Sequence, residues 1–131
     1  MSNLRKCYTL PAASTSSLSG VKLECPGGVL FLHYDYDKEG YAYNSSLKFE
    51  KVRAHLHVAD LHCPAWKIES SYDQLVQITD SEWVKKLLES TADDQHNSWQ
   101  LNHYMIYFDG EGCFEIVAES WSALPEKRGR L

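Results

Sequence analysis

Residues 103–121 carry the strongest constraint on the fold: two apolar runs flank Asp109-Gly110-Glu111-Gly112. A loop of this composition between alternating runs signals a β-hairpin. If Gly110 to Gly112 form a three-residue loop, Gly112 takes the left-handed conformation at no steric cost. That loop sets Asp109 opposite Cys113, and it pairs Phe108 with Phe114, Ile106 with Ile116 and Tyr104 with Ala118 on one face that is apolar apart from the tyrosine hydroxyl. The other face pairs Tyr107 with Glu115, Met105 with Val117 and His103 with Glu119. A two-residue loop mixes apolar and polar positions, so the pattern selects the three-residue register.

The rest of the chain extends this β character. With 131 residues, 44% hydrophobic and 24% charged, the chain is ordinary globular material for one domain. Eight Tyr, four Trp and four Phe favour strands. Residues 5–10 and 21–25 read as short strands, and 29–36 as a longer one. The turn Asp37-Lys38-Glu39-Gly40 closes a second hairpin, setting Tyr36 opposite Tyr41 and Tyr34 opposite Tyr43. These four tyrosines then share a face with Leu30 and Leu32. Asn44 to Ser46 reads as a loop. Residues 47–61 read as one long strand, with Val52, Ala54, Leu56 and Val58 on one side and Arg53, His55 and His57 on the other. Two short strands follow, at 66–69 and 72–78.

One helix is well marked, around residues 81–90. Asp80 or Ser81 caps its start, and Trp83, Val84, Leu87 and Leu88 form one apolar face. A polar stretch after it leads through Trp99 into the last hairpin. Residues from about 125 read as a frayed, flexible tail. The expected fold is therefore α+β: a mainly antiparallel sheet, curved or sandwiched, with one main helix packed on it.

The segment from Val52 to Glu126 resembles a family of bacterial hypothetical proteins. The motifs that carry the resemblance are Val-Arg-Ala-His-Leu-His (52–57), His-Cys-Pro-Ala-Trp (62–66), Tyr-Asp-Gln-Leu-Val (72–76), Asp-Ser-Glu-Trp-Val (80–84), His-Tyr-Met-Ile-Tyr-Phe-Asp (103–109) and Gly-Cys-Phe-Glu-Ile-Val-Ala-Glu-Ser-Trp (112–121). The resemblance implies a bacterial origin and a compact domain, and no particular chemistry.

Several function classes are disfavoured. The net charge of −5 argues against general nucleic-acid binding, which needs a surplus of Lys and Arg on some face. No apolar run reaches the length of a membrane span. Cys7, Cys25, Cys63 and Cys113 are too scattered for a thiolate zinc site, and reduced thiols in the cytoplasm are the expectation. Residues 35–40 imitate half of a calcium loop, but position twelve is Ser46 where a bidentate Glu is needed. No nucleophile elbow, phosphate loop or dinucleotide fingerprint is present.

Two readings remain. The first is a binding or interaction domain without catalysis or cofactor, taking a protein or small molecule, or a second copy of the chain. Acidic proteins of this size include immunity-type partners, an analogy of size and charge alone. Its candidate contacts are Tyr36, Tyr41, Arg53, Tyr107 and Glu115. The second is a metal-dependent enzyme or metal-binding protein, in which His55, His57, His103 and Glu119 hold Zn, Fe or Mn. That reading requires the face of His55 and His57 to meet the face of His103 and Glu119.

Overall fold

A computed structural model describes residues 3–91 and 100–131. The polar stretch expected between helix and hairpin, including Trp99, lies outside the described residues. Among the described residues, ten strands form two antiparallel sheets. The first holds β1 (Leu4–Thr9), β6 (Gln74–Ile78), β7 (Asn102–Phe108), β8 (Gly112–Ala118) and β5 (Ala54–Val58), in that order across the sheet. The second runs β10 (Lys127–Arg128), β4 (Tyr41–Glu50), β3 (Leu30–Lys38), β2 (Ser17–Glu24), with β9 (Ser120–Ala123) also on β4.

The sheets pack face to face. Leu30, Leu32, Tyr34, Tyr36, Leu47 and Phe49 from the second sheet meet Leu75, Tyr104, Ile106, Phe108, Phe114, Ile116 and Ala118 from the first. Aromatic rings tie the layers: Phe49 lies 5.6 Å from Tyr104, and Tyr34 lies 5.6 Å from Phe108. Each fully buried side chain of this size contributes about 1.5–3 kcal/mol. The outer face of the first sheet is apolar as well. Val76, Ile78, Met105, Tyr107 and Cys113 form a second cluster beneath Cys63 and Ile68. Two helices cover it: α1 (Ala65–Ser71) and α2 (Glu82–Glu89).

Both hairpins differ from expectation in the same way. In the last one the pairs are Phe108 with Gly112, Ile106 with Phe114, Tyr104 with Ile116, Met105 with Glu115 and His103 with Val117. The loop is Asp109 to Glu111, closed by the Glu111 N–H donating to the Phe108 carbonyl at 3.0 Å, and Gly110 takes a φ of 74°. In the earlier hairpin Tyr36 pairs with Tyr43, and Glu39 (φ 56°) and Gly40 (φ 85°) form the tip. Two left-handed residues are what a type I′ turn requires. Each register is displaced by two residues, so every residue keeps its expected face. The expected cross-strand pair of His103 with Glu119 does not form.

Other boundaries also moved. Residues 65–71 form a helix, where 66–69 were expected as a strand. The Lys67 and Ile68 N–H groups both donate to the Pro64 carbonyl, at 3.0 and 3.3 Å. A four-residue window is too short to separate a period of 2 from one of 3.6. The expected long strand 47–61 breaks at Lys51, whose φ of 53° turns the chain out of one sheet towards the other. Asn44 to Ser46 lie within β4 rather than in a loop, and the Ser45 hydroxyl donates to the Leu124 carbonyl at 3.0 Å. The end of the chain pairs with β4 instead of fraying: the Gly129 N–H donates to Ala42 and the Leu131 N–H to the Asp35 carboxylate. The main helix occupies 82–89, and the Ser81 hydroxyl accepts from the Val84 N–H at 3.1 Å as its cap.

Candidate functional site

Buried charge is costly unless it is paired, so charged residues inside the fold mark where to look. On the outer face of the first sheet, His103 and Glu115 are only 6% and 3% exposed. β7 and β8 place them one diagonal step apart: His103 lies opposite Val117, and Glu115 opposite Met105. His103 Nε2 approaches Glu115 Oε1 at 2.8 Å. From α1, the Lys67 ammonium donates to Glu115 Oε2 at 2.7 Å. From the start of α2, the Ser81 Oγ lies 2.7 Å from His103 Nδ1.

The protons follow from the partners. A carboxylate only accepts, so His103 Nε2 carries a proton towards Glu115, and Nδ1 meets the Ser81 hydroxyl. Burial pushes the Glu115 carboxyl up, but the hydrogen bonds from His103 and Lys67, with the charge of Lys67, hold it below its ordinary value. Glu115 is thus an ionised carboxylate with both oxygens occupied.

This chain floors a cleft of about 190 Å³ lined by Trp66, Lys67, Ile78, Ser81, Glu82, Trp83, His103 and Glu115. Trp66 is 44% exposed on one wall, with the Lys67 ammonium 5.6 Å from its ring. Trp83 on the other wall meets His103 edge-on at 5.1 Å. A smaller cavity of about 150 Å³ is also lined by His103 and Ser81, with Gln77, Thr79 and Asn102. The order Ser81, His103, Glu115 invites comparison with an acyl-transfer triad. Here, however, the serine oxygen caps a helix by accepting the Val84 N–H, and the residue is buried. Its lone pairs serve the fold.

Of the expected contacts, Glu115 lies in this cleft. Tyr107 is on the same outer face, buried, with its hydroxyl donating to Asp60. Tyr36 belongs to the core and donates to Glu126, while Tyr41 stands 54% exposed at a hairpin tip beneath Arg128, whose guanidinium lies 4.1 Å from its ring. Arg53 lines a separate hollow of about 390 Å³ with Gly27, Gly28, Val29, Glu50, Lys51 and Val52. None of those residues is buried, so that hollow holds no desolvated polar group.

The histidine set does not come together. His55 lies opposite Ile116 and His57 opposite Phe114, which places both on the side of the sheet away from His103. The His57 ring stacks on Phe114 at 4.3 Å, and both histidines are exposed at the sheet edge. Glu119 sits at the corner where β8 passes to β9 in the other sheet. Its N–H donates to the Glu50 carbonyl, and its carboxylate lies 3.3 Å from the Lys51 ammonium. Among the described residues, no three His, Cys, Asp or Glu are grouped to hold a metal ion. No described helix is long and apolar enough to cross a membrane.

Sequence reasoning missed Lys67, because its segment read as a strand. Ser81 and Trp83 were visible only as a cap and an apolar helix position. The pairing of His103 with Glu115 was hidden by the two-residue register offset.

No family model, no curated protein and no solved structure matches the chain.

Proposed function

We propose that the chain is a binding domain, and that its site is the cleft between α1, α2 and the outer face of the first sheet. One observation carries this reading: two buried, mutually hydrogen-bonded ionisable residues, Glu115 and His103, form the floor of a cleft walled by Trp66 and Trp83. Aromatic walls with a few fixed polar groups are the usual makeup of a ligand site. The volume sets the size of the guest. Sites for drug-sized ligands and cofactors measure about 300–1,000 Å³. A cavity of about 150 Å³ holds one benzene ring. At about 190 Å³ the cleft suits one side-chain-sized group, from a partner protein or a small molecule. Recognition is favoured over catalysis because Ser81, His103 and Glu115 already satisfy one another.

The test is titration with benzamide, a neutral ring of that size. Saturable changes in the Trp66 and Trp83 indole resonances, abolished in Trp66→Ala, are expected. A response that is absent, or that persists unchanged in the variant, overturns the reading.

A further inference from the structure

We infer that β5 is a docking edge for a second copy of the chain, and that the two copies pair antiparallel through it about a two-fold axis at Leu56. The inference is independent of the cleft. A strand at the margin of a sheet presents every second N–H and C=O outwards, and folds guard such edges with charge, proline, bulges or brevity. Among the described residues, three of the four sheet edges are guarded in this way. β1 carries Arg5 and Lys6, and its register shifts between Lys6 and Tyr8. β2 carries Lys22 and Glu24, and its register shifts between Ser17 and Val21. The edge beyond β4 is shared by β9, of four residues, and β10, of two; Pro125 separates them, and β10 is Lys127-Arg128.

β5 lacks charge, proline and bulge. Its sequence is Ala-His-Leu-His-Val, and its five pairs with β8 run without a shift. Among the described residues β8 is its one strand partner. Its three central residues are exposed, Leu56 at 36%. The symmetry of this sequence about Leu56 selects the occupant, because a two-fold contact joins a patch to itself. Antiparallel pairing of two β5 strands sets Leu56 opposite the partner's Leu56, His55 opposite the partner's His57 and Ala54 opposite the partner's Val58. Leu56 shares the outer face with Glu115, and His57 shares the inner face with Phe114. The leucines therefore meet on one face and the histidines on the other. The flanks set the direction: Arg53 precedes the strand and Asp60 follows it. Parallel pairing would bring Arg53 beside Arg53, whereas antiparallel pairing brings each Arg53 towards the Asp60 end of the partner strand. Five residues span about 17 Å. The contact is thus at the small end of specific interfaces, and the association is weak and concentration-dependent.

Sedimentation velocity of the full chain, up to about 1 mM, is expected to show a reversible monomer–dimer equilibrium. Two double variants test the surface and its register: His55→Lys with His57→Lys, and His55→Glu with His57→Glu. Each homodimer places like charges directly opposite, and the mixed dimer places opposite charges there. Each variant alone should dimerise about tenfold more weakly than the native chain, and their equimolar mixture should recover the dimer. That recovery also shows that both variants fold. A native chain that stays monomeric at about 1 mM overturns the inference. Dimerisation that both variants leave unchanged, or a mixture no tighter than either variant alone, overturns it as well. A last arm titrates a blocked peptide of residues 53–60, beside a scrambled peptide of the same composition, and reads the amide resonances of β5. Preference for the native order supports a second copy as the occupant. Equal binding of the scrambled peptide overturns that assignment and gives the edge to extended segments of other proteins.

Discussion

His103 and Glu115 meet at 2.8 Å although neither lies opposite the other on the β7–β8 ladder; the contact is diagonal, across one step of the pleat. Diagonal neighbours are about 7–8 Å apart at the backbone, within reach of long side chains. The pair therefore depends on the register of the hairpin, and on Lys67 to hold the second carboxylate oxygen. Glu115→Ala should lower stability by about 3 kcal/mol, because a buried ion pair broken on one side leaves an uncompensated charge. Urea denaturation provides the measure. A loss below about 0.5 kcal/mol would show that the pair contributes nothing net.

Acid should act on the same residue. The folded-state pKa of Glu115 lies below its unfolded value near 4.5, so its stabilisation is fully present above that value. It is lost as the pH falls from there through the lower folded-state pKa. The urea midpoint of the native chain should thus fall more steeply below about pH 4.5 than that of Glu115→Gln. Parallel curves for the two proteins would contradict the assignment. Because Asp35 and Glu126 also titrate low, the difference between the curves is the informative quantity.

The two glycines of the last turn should respond unequally to alanine. A Cβ on Gly112 would lie 2.1 Å from the Val58 carbonyl oxygen, on a backbone with φ 110°, whereas a Cβ on Gly110 (φ 74°) meets nothing within 4 Å. Gly110→Ala should cost about 1 kcal/mol from conformation alone. Gly112→Ala should cost about 3 kcal/mol, adding the displacement of β5. Thermal denaturation of the two variants tests the ranking, and equal losses would refute it.

The four cysteines are unpaired and should alkylate in order of exposure. Cys25 is exposed and should react first. Cys113 is buried, its thiol pushed up to about 12 by burial and then by the charge of Glu115, and only the thiolate reacts. Peptide mapping after brief iodoacetamide treatment should find Cys25 modified and Cys113 untouched until denaturant is added. Early modification of Cys113 would mean that the outer face opens readily.

Much of this architecture is legible in the sequence, and the errors share a cause. Alternation has a period of two, so it fixes the face of a residue and leaves register free to move in steps of two. Tyr104, Ile106, Phe108, Phe114 and Ile116 therefore reached the core as expected. The partner of His103 was misplaced because turn type, not hydrophobic pattern, sets the final step. Asp109-Gly110-Glu111-Gly112 accommodates either loop, since both glycines tolerate positive φ. The cleft was less legible. Lys67 and Glu115 are 48 residues apart, and nothing local links a short helix after Pro64 to a glutamate inside an apolar strand. Glu115 was named as a contact, but its neighbours follow from the order of strands, which alternation does not encode.

The pairing of β1 with β6 sets a schedule for the nascent chain. Arg5 meets Gln77, 72 residues further along, while β2, β3 and β4 need only their neighbours. As the protein emerges from the ribosome, the second sheet can begin to assemble while β1 waits without its partner. At about 5–20 residues per second that interval lasts for seconds. The first strand thus spends synthesis as an unpaired edge, and its polar, largely exposed sequence suits it to that wait.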